Sequence, residues 1–472
     1  MGQRRTHRQH SLQTFIGALA HSERYQHEHK EIMLLVPGPL FLKDLHLKTA
    51  FPAQHIHLLI FPFHSKLIKR TKMMRTRVIF LLASTSLLTL CQAQELSLDD
   101  MELVARTTDF AFSLYRKIAS TSDDNIFLSP LTAAASLAAL SGGTQSTTRT
   151  ELLEGLALSS LEQDGQASRI PELFQKLDDI LTQDGAFQSD RAIAFFLSQK
   201  VEVQKVFSDQ FKKFFKADLP EVDFSNPEAS KFTINQYIRT QTRGKVASDV
   251  GNIDPETQLM LINTIFFQVK WDLPFNSSFT QEERFYVNKY NIAQVPMMFR
   301  ADKYYLAYDR SLKLGVLKLP CQGKVAMLVL LPDKDVDYTA IDEELTPERF
   351  RGWVKQLKKT KLEVQLPRFK LERSYSMQKI LPDLGIVDIF ENKADLSALS
   401  KEARLKVSQV LLKGGIEADE KGLSNSATMA SSITEVSMPP RLTINRPFLF
   451  LIYHEVTNSL LFMGRVIDPT KN

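Results

Sequence analysis

Residues 94–472 predict an α+β domain with large sheets, on three observations. Apolar residues recur at helical spacing in the first part, apolar runs and strict alternation take over from about residue 260, and nothing between reads as a linker. No Gly/Ser- or Pro-rich stretch, internal repeat or long charge block interrupts them. One large domain is therefore expected, although 472 residues would allow two or three.

In chain order, residues 1–72 are rich in His and Arg and hold no sustained period, so they are expected to be a disordered upstream segment, with translation beginning at Met73 or Met74. Met73-Met74-Arg75-Thr76-Arg77, the apolar run Val78 to Cys91 and the ending Cys91-Gln92-Ala93 match the charged, apolar and small-residue order of a secretory signal. Residues 73–93 are expected to be that signal, with secretion of a chain that starts near Gln94 into the extracellular space. Their apolar run is short for a bilayer span. Beyond it, Phe110, Leu114 and Ile118 share a helical face, and Leu173, Leu177, Ile180 and Leu181 share another after Pro171. Up to about residue 260 the chain reads as mainly helical. Leu261 to Val269 and Val325 to Leu331 are continuous apolar runs, suited to strands covered on both faces, while Leu362, Val364 and Leu366 alternate with Glu363 and Gln365. Phe448 to Tyr453 and Leu460 to Val466 flank Thr457-Asn458 as a hairpin in the core.

Charge and composition narrow the chemistry. Thirteen of the 59 basic and four of the 54 acidic residues precede residue 94, so the net charge of +5 hides an acidic excess of four in the rest. Neither a nucleic acid nor a membrane is expected as a partner, and the chain is expected to be a monomer. Nine of the ten histidines also precede residue 94, which leaves His454. A Ser-His or Cys-His nucleophilic pair or a two-imidazole zinc site would have to be built around that one ring, so most such enzymes are excluded and no metal is expected. His454 itself reads as structural or solvent-facing. Cys91 leaves with the signal, so Cys321 is expected to be an unpaired, partly buried thiol. Asn276-Ser277-Ser278 makes Asn276 a candidate glycosylation site.

Gly422 to Pro440 stands apart. Leu423 to Thr434 contains no charge, Pro or Gly, and it alternates an apolar set (Leu423, Ala427, Met429, Ile433, interrupted by Asn425 and Ser431) with small polar residues. That is the pattern of a half-buried strand, ended at Glu435 and Pro439-Pro440. It reads either as an ordinary strand or as a segment able to be a loop or an inserted strand.

From about residue 100 to the end the chain resembles the serpin family. Leu442-Thr443-Ile444-Asn445-Arg446-Pro447-Phe448-Leu449-Phe450-Leu451-Ile452 is similar to the family's C-terminal signature. Asn125-Ile126-Phe127-Leu128-Ser129-Pro130, Thr242-Arg243-Gly244-Lys245, Leu261 to Phe267 with Lys270-Trp271, and Glu420-Lys421-Gly422 support it in order and spacing. Shorter matches at Asp254-Pro255-Glu256-Thr257 and Val295-Pro296-Met297-Met298 resemble the antitrypsin-like clade. The resemblance implies the serpin fold, with helices around a dominant sheet, smaller sheets and an exposed reactive-centre loop. It implies a non-enzymatic suicide inhibitor whose loop is attacked by a serine protease and then inserts into the main sheet. Its hinge would comprise Glu420, Gly422, Leu423, Asn425 and Ala427. Counted from Gly422 as the first residue, the fifteenth is Val436, so the scissile bond would be Val436-Ser437.

The branched Val436 suits a small apolar specificity pocket of elastase type, which departs from the activated factor X expected of a coagulation inhibitor. Leu423 and Asn425 stand where inhibitory members resemble one another in Thr and Ala, and an inward Asn425 amide without a partner would cost ~1 to 3 kcal/mol. Leu412 occupies the place of a shutter histidine, and Gly414-Gly415 beside it is expected to ease opening of the sheet. Arg349, Arg351, Lys355, Lys358, Lys359 and Lys361 form a basic cluster, read either as a glycosaminoglycan site or as a solvated face. The helix with Glu172, Asp178 and Asp179 looks unsuited to polyanions. Candidate cofactors are thus a glycosaminoglycan or a protein Z-like protein. The rival reading is a non-inhibitory carrier or precursor.

Overall fold

A computed structural model describes residues 96–472 except 163–167, 184–189, 402–403 and 422–438. The upstream segment 1–72, the signal 73–93, the hinge residues Gly422, Leu423, Asn425 and Ala427, and the bond Val436-Ser437 lie outside the described residues. Leu98 to Asn472 belong to one packed unit.

Helix α1 (Leu98–Ala119) opens on Asp99 and Asp100 and ends on Arg116 and Lys117, charges that complement its dipole, and it buries Phe110, Leu114 and Ile118. Helix α2 (Pro130–Ser141) begins with Pro at its first turn and is buried on nearly every side, as expected of a helix that threads the centre of the core. After α3 (Ser146–Gly155), α4 (Arg169–Gln183) buries Leu173, Phe174, Leu177 and Leu181, whereas Ile180 is only half-buried. Helix α5 (Lys205–Phe215) turns Phe207, Phe211 and Phe214 inward. Helix α6 (Pro227–Gln241) is capped by the Asn226 side chain, which accepts from the Ala229 amide. The short α7 (Tyr338–Glu344) and α8 (Pro347–Gln356) come much later.

Five strands form one sheet, in the order β10 (Phe369–Ser376), β11 (Gln409–Ala418), β4 (Leu259–Gln268), β2 (Asp190–Ser198), β3 (Glu221–Val222). The other sheet runs β1 (Ile126–Leu128), β14 (Leu460–Val466), β13 (Phe448–His454), β8 (Val325–Pro332), β7 (Leu314–Cys321), β6 (Ile292–Asp309), β9 (Lys358–Pro367), β12 (Arg441–Thr443), with β5 (Gln281–Tyr286) also on β6. The α+β class, the apolar runs at β4 and β8, the alternation on β9 and the β13–β14 hairpin are as the sequence predicts.

One sequence reading changes, and another gains its physical detail. Strand β2 interrupts the part read as mainly helical, because its core Ala192 to Leu197 is a short apolar run whose period cannot separate strand from helix. The continuous apolarity of β4 reflects two covers: Leu259, Leu261, Ile265 and Phe267 join the main core. Met260 and Ile262, on the opposite face, pack in a second core with Ile234 and Ile238 of α6.

Candidate functional site

The five-strand sheet has one unusual interior seam. β11 pairs with β4 in parallel, from Gln409 opposite Met260 to Glu417 opposite Gln268, while β10–β11 and β2–β4 are antiparallel. The chain leaves β11 at Ala418 and continues through Asp419, Glu420 and Lys421 into residues 422–438. A segment folded back from there would run antiparallel to both β11 and β4. Its entry would replace one parallel ladder, the less stable kind, with two antiparallel ones. The far end of 422–438 is tied to the other sheet: Pro440 accepts from the Glu363 amide, and Arg441 pairs with the Glu363 carboxylate at 2.7 Å on β9.

Above the seam the stem is fastened by named contacts. The Trp271 indole donates to the Asp419 carbonyl at 2.7 Å, the Trp271 amide donates to the Lys421 carbonyl at 3.3 Å, and the ring sits edge-on to Phe275. Arg368 donates from Nη2 to Glu420 Oε1 at 2.5 Å and from Nε to Oε2 at 3.2 Å, while the Thr280 hydroxyl donates to Oε1 at 2.7 Å. Partial burial pushes the Glu420 carboxyl up, but the bonds from Arg368 and Thr280 outweigh it and hold Glu420 below the usual carboxylate range. Lys421 folds back onto Asp419 at 2.7 Å, and that hydrogen bond raises the ammonium.

At mid-seam Leu412 lies opposite Asn263 in register. Asn263 turns away from β11: its Nδ2 donates to the Thr132 carbonyl of α2 at 2.6 Å, and its Oδ1 accepts from the Thr132 hydroxyl at 3.2 Å. The amide thus clamps β4 to α2, and Leu412 opposite it offers no hydrogen bond. Gly414 and Gly415 have a packing role that the sequence does not reveal. A Cβ on Gly414 would lie 3.1 Å from the Phe127 ring, and one on Gly415 would lie 2.9 Å from the Phe266 ring. Immediately before them, Lys413 donates to the Asp249 carbonyl at 2.6 Å, and burial lowers its ammonium.

The remaining sequence candidates are scattered. Asn276 is exposed, and its Oδ1 accepts from the Ser278 amide. The basic cluster divides between α8 and β9. Arg349 pairs with Glu344 at 2.7 Å and Asp309 at 3.3 Å, Arg351 pairs with Glu348 at 2.7 Å, and Lys359 lies over the Tyr305 ring. Lys355 and Lys358 are exposed and Lys361 half-buried. On α4, Asp178 and Asp179 bind Lys216. His454 is buried, not solvent-facing, with Nδ1 3.0 Å from the Thr457 hydroxyl. Cys321 is a free, fully buried thiol, held far above its ordinary pKa by desolvation. No group of His, Cys, Asp and Glu suited to a metal occurs among the described residues, and no described helix is long and apolar enough to cross a membrane.

Sequence reasoning left Arg368, Thr280 and Thr132 unassigned, and Asn263 stood inside a matched block with no role given. Trp271 stood inside a matched block, but nothing local signals that its indole reaches Asp419.

A family model of serpins (serine protease inhibitors) matches residues 105–469. Human protein Z-dependent protease inhibitor is 37% identical over 370 residues, which cover 78% of this chain and 83% of that protein. Human plasma serine protease inhibitor is 37% identical over 367 residues, 76% of this chain and 89% of its own length. The crystal structure of mouse protein Z-dependent protease inhibitor aligns with a TM-score of 0.73 at 35% identity, covering 78% of this chain and 98% of that one. Human thyroxine-binding globulin aligns with a TM-score of 0.72 at 28% identity, covering 79% and 99%.

Proposed function

The chain belongs to the serpin family, and from that premise we propose that it is a secreted suicide inhibitor of serine proteases, cleaved at Val436-Ser437. The observation that carries this reading is the parallel β11–β4 seam with the loop stem rising from the end of β11. The protease serine attacks the Val436 carbonyl, the Val436 acyl group passes to the serine oxygen as an ester, and the Ser437 amine leaves with a proton. Before the cut, residues 422–438 are tethered at both ends, to β11 and to β9, so the seam cannot take up the segment in full. Cleavage frees the end that bears the acyl-protease, and hinge residues Gly422, Leu423, Asn425 and Ala427 lead it into the seam. The chemistry belongs to the protease, and insertion belongs to this chain.

Val436 favours a protease with a small apolar pocket. Likeness to protein Z-dependent inhibitors supports a setting in blood coagulation and a protein Z-like partner. We assign that partner the tip of the β5–β6 hairpin, where Tyr286 and Ile292 face each other across the ladder with exposed side chains and Tyr290 is 92% exposed. Glycosaminoglycan is assigned to Lys355, Lys358 and Lys359, the exposed lysines of the basic cluster. A second reading, a non-inhibitory carrier, draws on the likeness to thyroxine-binding globulin and on Leu423 and Asn425 in the hinge.

Incubation with a panel of serine proteases separates the two on a denaturing gel. Covalent complex supports inhibition, whereas cleaved chain with no complex supports the carrier. Val436→Arg should add trypsin-like proteases to those trapped; failure to do so displaces the assigned bond.

A further inference from the structure

The chain holds one Asn-X-Ser/Thr triplet, Asn276-Ser277-Ser278, and the fold gives it a particular setting. It lies in the connection between β4 and β5, where Asn276 caps a single 3-10 turn, Ser277–Phe279. The Asn276 side-chain oxygen accepts from the Ser278 amide at 2.9 Å, and the Asn276 carbonyl accepts from the Phe279 amide at 2.9 Å. Oδ1 is thus turned inward, while Nδ2 of this exposed residue has no partner among the described residues. Three residues make one 3-10 turn, so positions 276 and 279 fall on the same side of it. The side chain that stands there is Phe279, which is 54% exposed. A lone exposed aromatic means little. One beside an acceptor asparagine is a platform for a sugar.

The same turn reaches both ends of residues 422–438. Thr280, next in the chain, donates its hydroxyl to Glu420 Oε1 at 2.7 Å, at the stem. Phe279 meets Phe299 of β6 edge to face with ring centroids 6.4 Å apart, and the Arg441 guanidinium lies over the Phe299 ring at 5.6 Å. Arg441 is the residue that pairs with Glu363 where the chain returns to β9. We propose that Asn276 carries an N-linked oligosaccharide whose first N-acetylglucosamine rests its C–H face on the Phe279 ring, and that this contact stiffens the turn that braces both ends of the loop. The negative face of the ring attracts the polarised C–H groups of the sugar.

Attachment takes place on the nascent chain in the secretory pathway, so the site rests on the reading of this chain as secreted. The Nδ2 nitrogen attacks the anomeric carbon of a lipid-diphosphate-linked oligosaccharide. The carbon–nitrogen bond forms, the carbon–oxygen bond to the diphosphate breaks, the lipid diphosphate leaves, and one amide proton goes to a base of the transferase. Oδ1 is unchanged by this step, so the Ser278 amide keeps its acceptor. The fold has only to leave Nδ2 toward solvent, and the exposed Asn276 does so.

Expression of the full chain in mammalian secretory cells tests the site, with intact mass spectrometry of the protein in the medium before and after peptide-N-glycosidase. One N-glycan per chain is expected, released to leave aspartate in place of Asn276. Ser278→Ala removes the hydroxyl of the triplet but keeps the backbone amide that Asn276 accepts, and it should carry no glycan. Its amide exchange at residues 419–421 and 441–443 should be about threefold faster than in the glycosylated parent. Phe279→Ala should keep the glycan and exchange at least as fast, and adding Ser278→Ala to it should bring no further change. Secreted chain without a glycan overturns the site. Equal exchange in the parent and in Ser278→Ala overturns the bracing, and a glycan effect that persists undiminished in Phe279→Ala overturns the platform. If the chain stays in the cytosol, the secretory reading is what fails; residues 94–472 behind an unrelated signal peptide then decide the site by the same measurements.

Discussion

The β13–β14 hairpin and the β4–β11 seam are both buried, apolar and two strands wide, yet they are held together in opposite ways. The hairpin is local and antiparallel, from Phe448 opposite Val466 to Tyr453 opposite Leu460, and all of its strand residues are buried. Its turn is sealed by His454, Thr457 and Ser459 through their side chains. The seam joins strands far apart in sequence, in parallel. Among the described residues its side-chain locks cluster at the stem end, where Gln268 donates across it to the Glu417 carbonyl at 3.3 Å, Trp271 donates to the Asp419 carbonyl and Arg368 to Glu420, while Asn263 faces α2. One region resists change because each residue is braced by its chain neighbours. The other is held by a parallel ladder between distant segments, with side-chain locks gathered at its stem end.

The sharpest test of that contrast uses glycine on both sides. A Cβ at Gly464 of the hairpin would lie 2.6 Å from the Ile126 carbonyl oxygen as well as 2.3 Å from the Phe450 ring. Backbone cannot give way cheaply, so Gly464→Ala should destabilise the chain by about 3 kcal/mol or more, read by denaturant unfolding. At the seam the nearest atoms are rings. Gly415→Ala meets Phe266, which can shift, so a loss of about 1 to 2 kcal/mol is expected. Equal losses at the two positions would break the comparison.

Removing a lock should act on the seam alone. Trp271→Phe leaves the Asp419 carbonyl without its indole donor, at a cost of about 1 kcal/mol. Amide exchange should quicken along residues 409–417 and stay unchanged along 448–454. Quickening of both would mean that the regions open together.

The smallest effect, pH-dependent, belongs to Glu420. Its folded pKa lies below the ordinary value, so the Arg368–Glu420 contribution is fully present above the ordinary glutamate range and is lost as pH falls through the depressed folded value. Exchange at the stem amides should therefore rise on acidification below about pH 4 in the parent. Glu420→Gln should show the faster exchange already at neutral pH, by about 0.5 to 1 kcal/mol, and lose that acid step. An acid step that survives the substitution would assign it to another group.

How far each region can be read from the chain obeys the same division. Phe448 to Val466 announces itself, because period and turn residues sit within one short window. The runs at β4, β8 and β9 are equally plain. Strand β2 is not, since Ala192 to Leu197 carries neither a helical nor a strand period, and the Glu420–Arg368 bond crosses 52 residues with no local mark. Gly414 and Gly415 look like weak points until Phe127 and Phe266 are seen to press on them.

The amino-acid sequence by itself determined the class of fold, the hairpin, the isolation of Leu423 to Thr434 from charge, and the family, because each depends on residue types and spacings within short stretches. Only the tertiary structure decided that β11 lies parallel to β4, that the stem is fastened by Trp271 and Arg368, and that the turn 276–280 reaches both Glu420 and Phe299. Those features depend on which distant segments meet, and that is set by the packing free energy of the whole core, which no local pattern encodes.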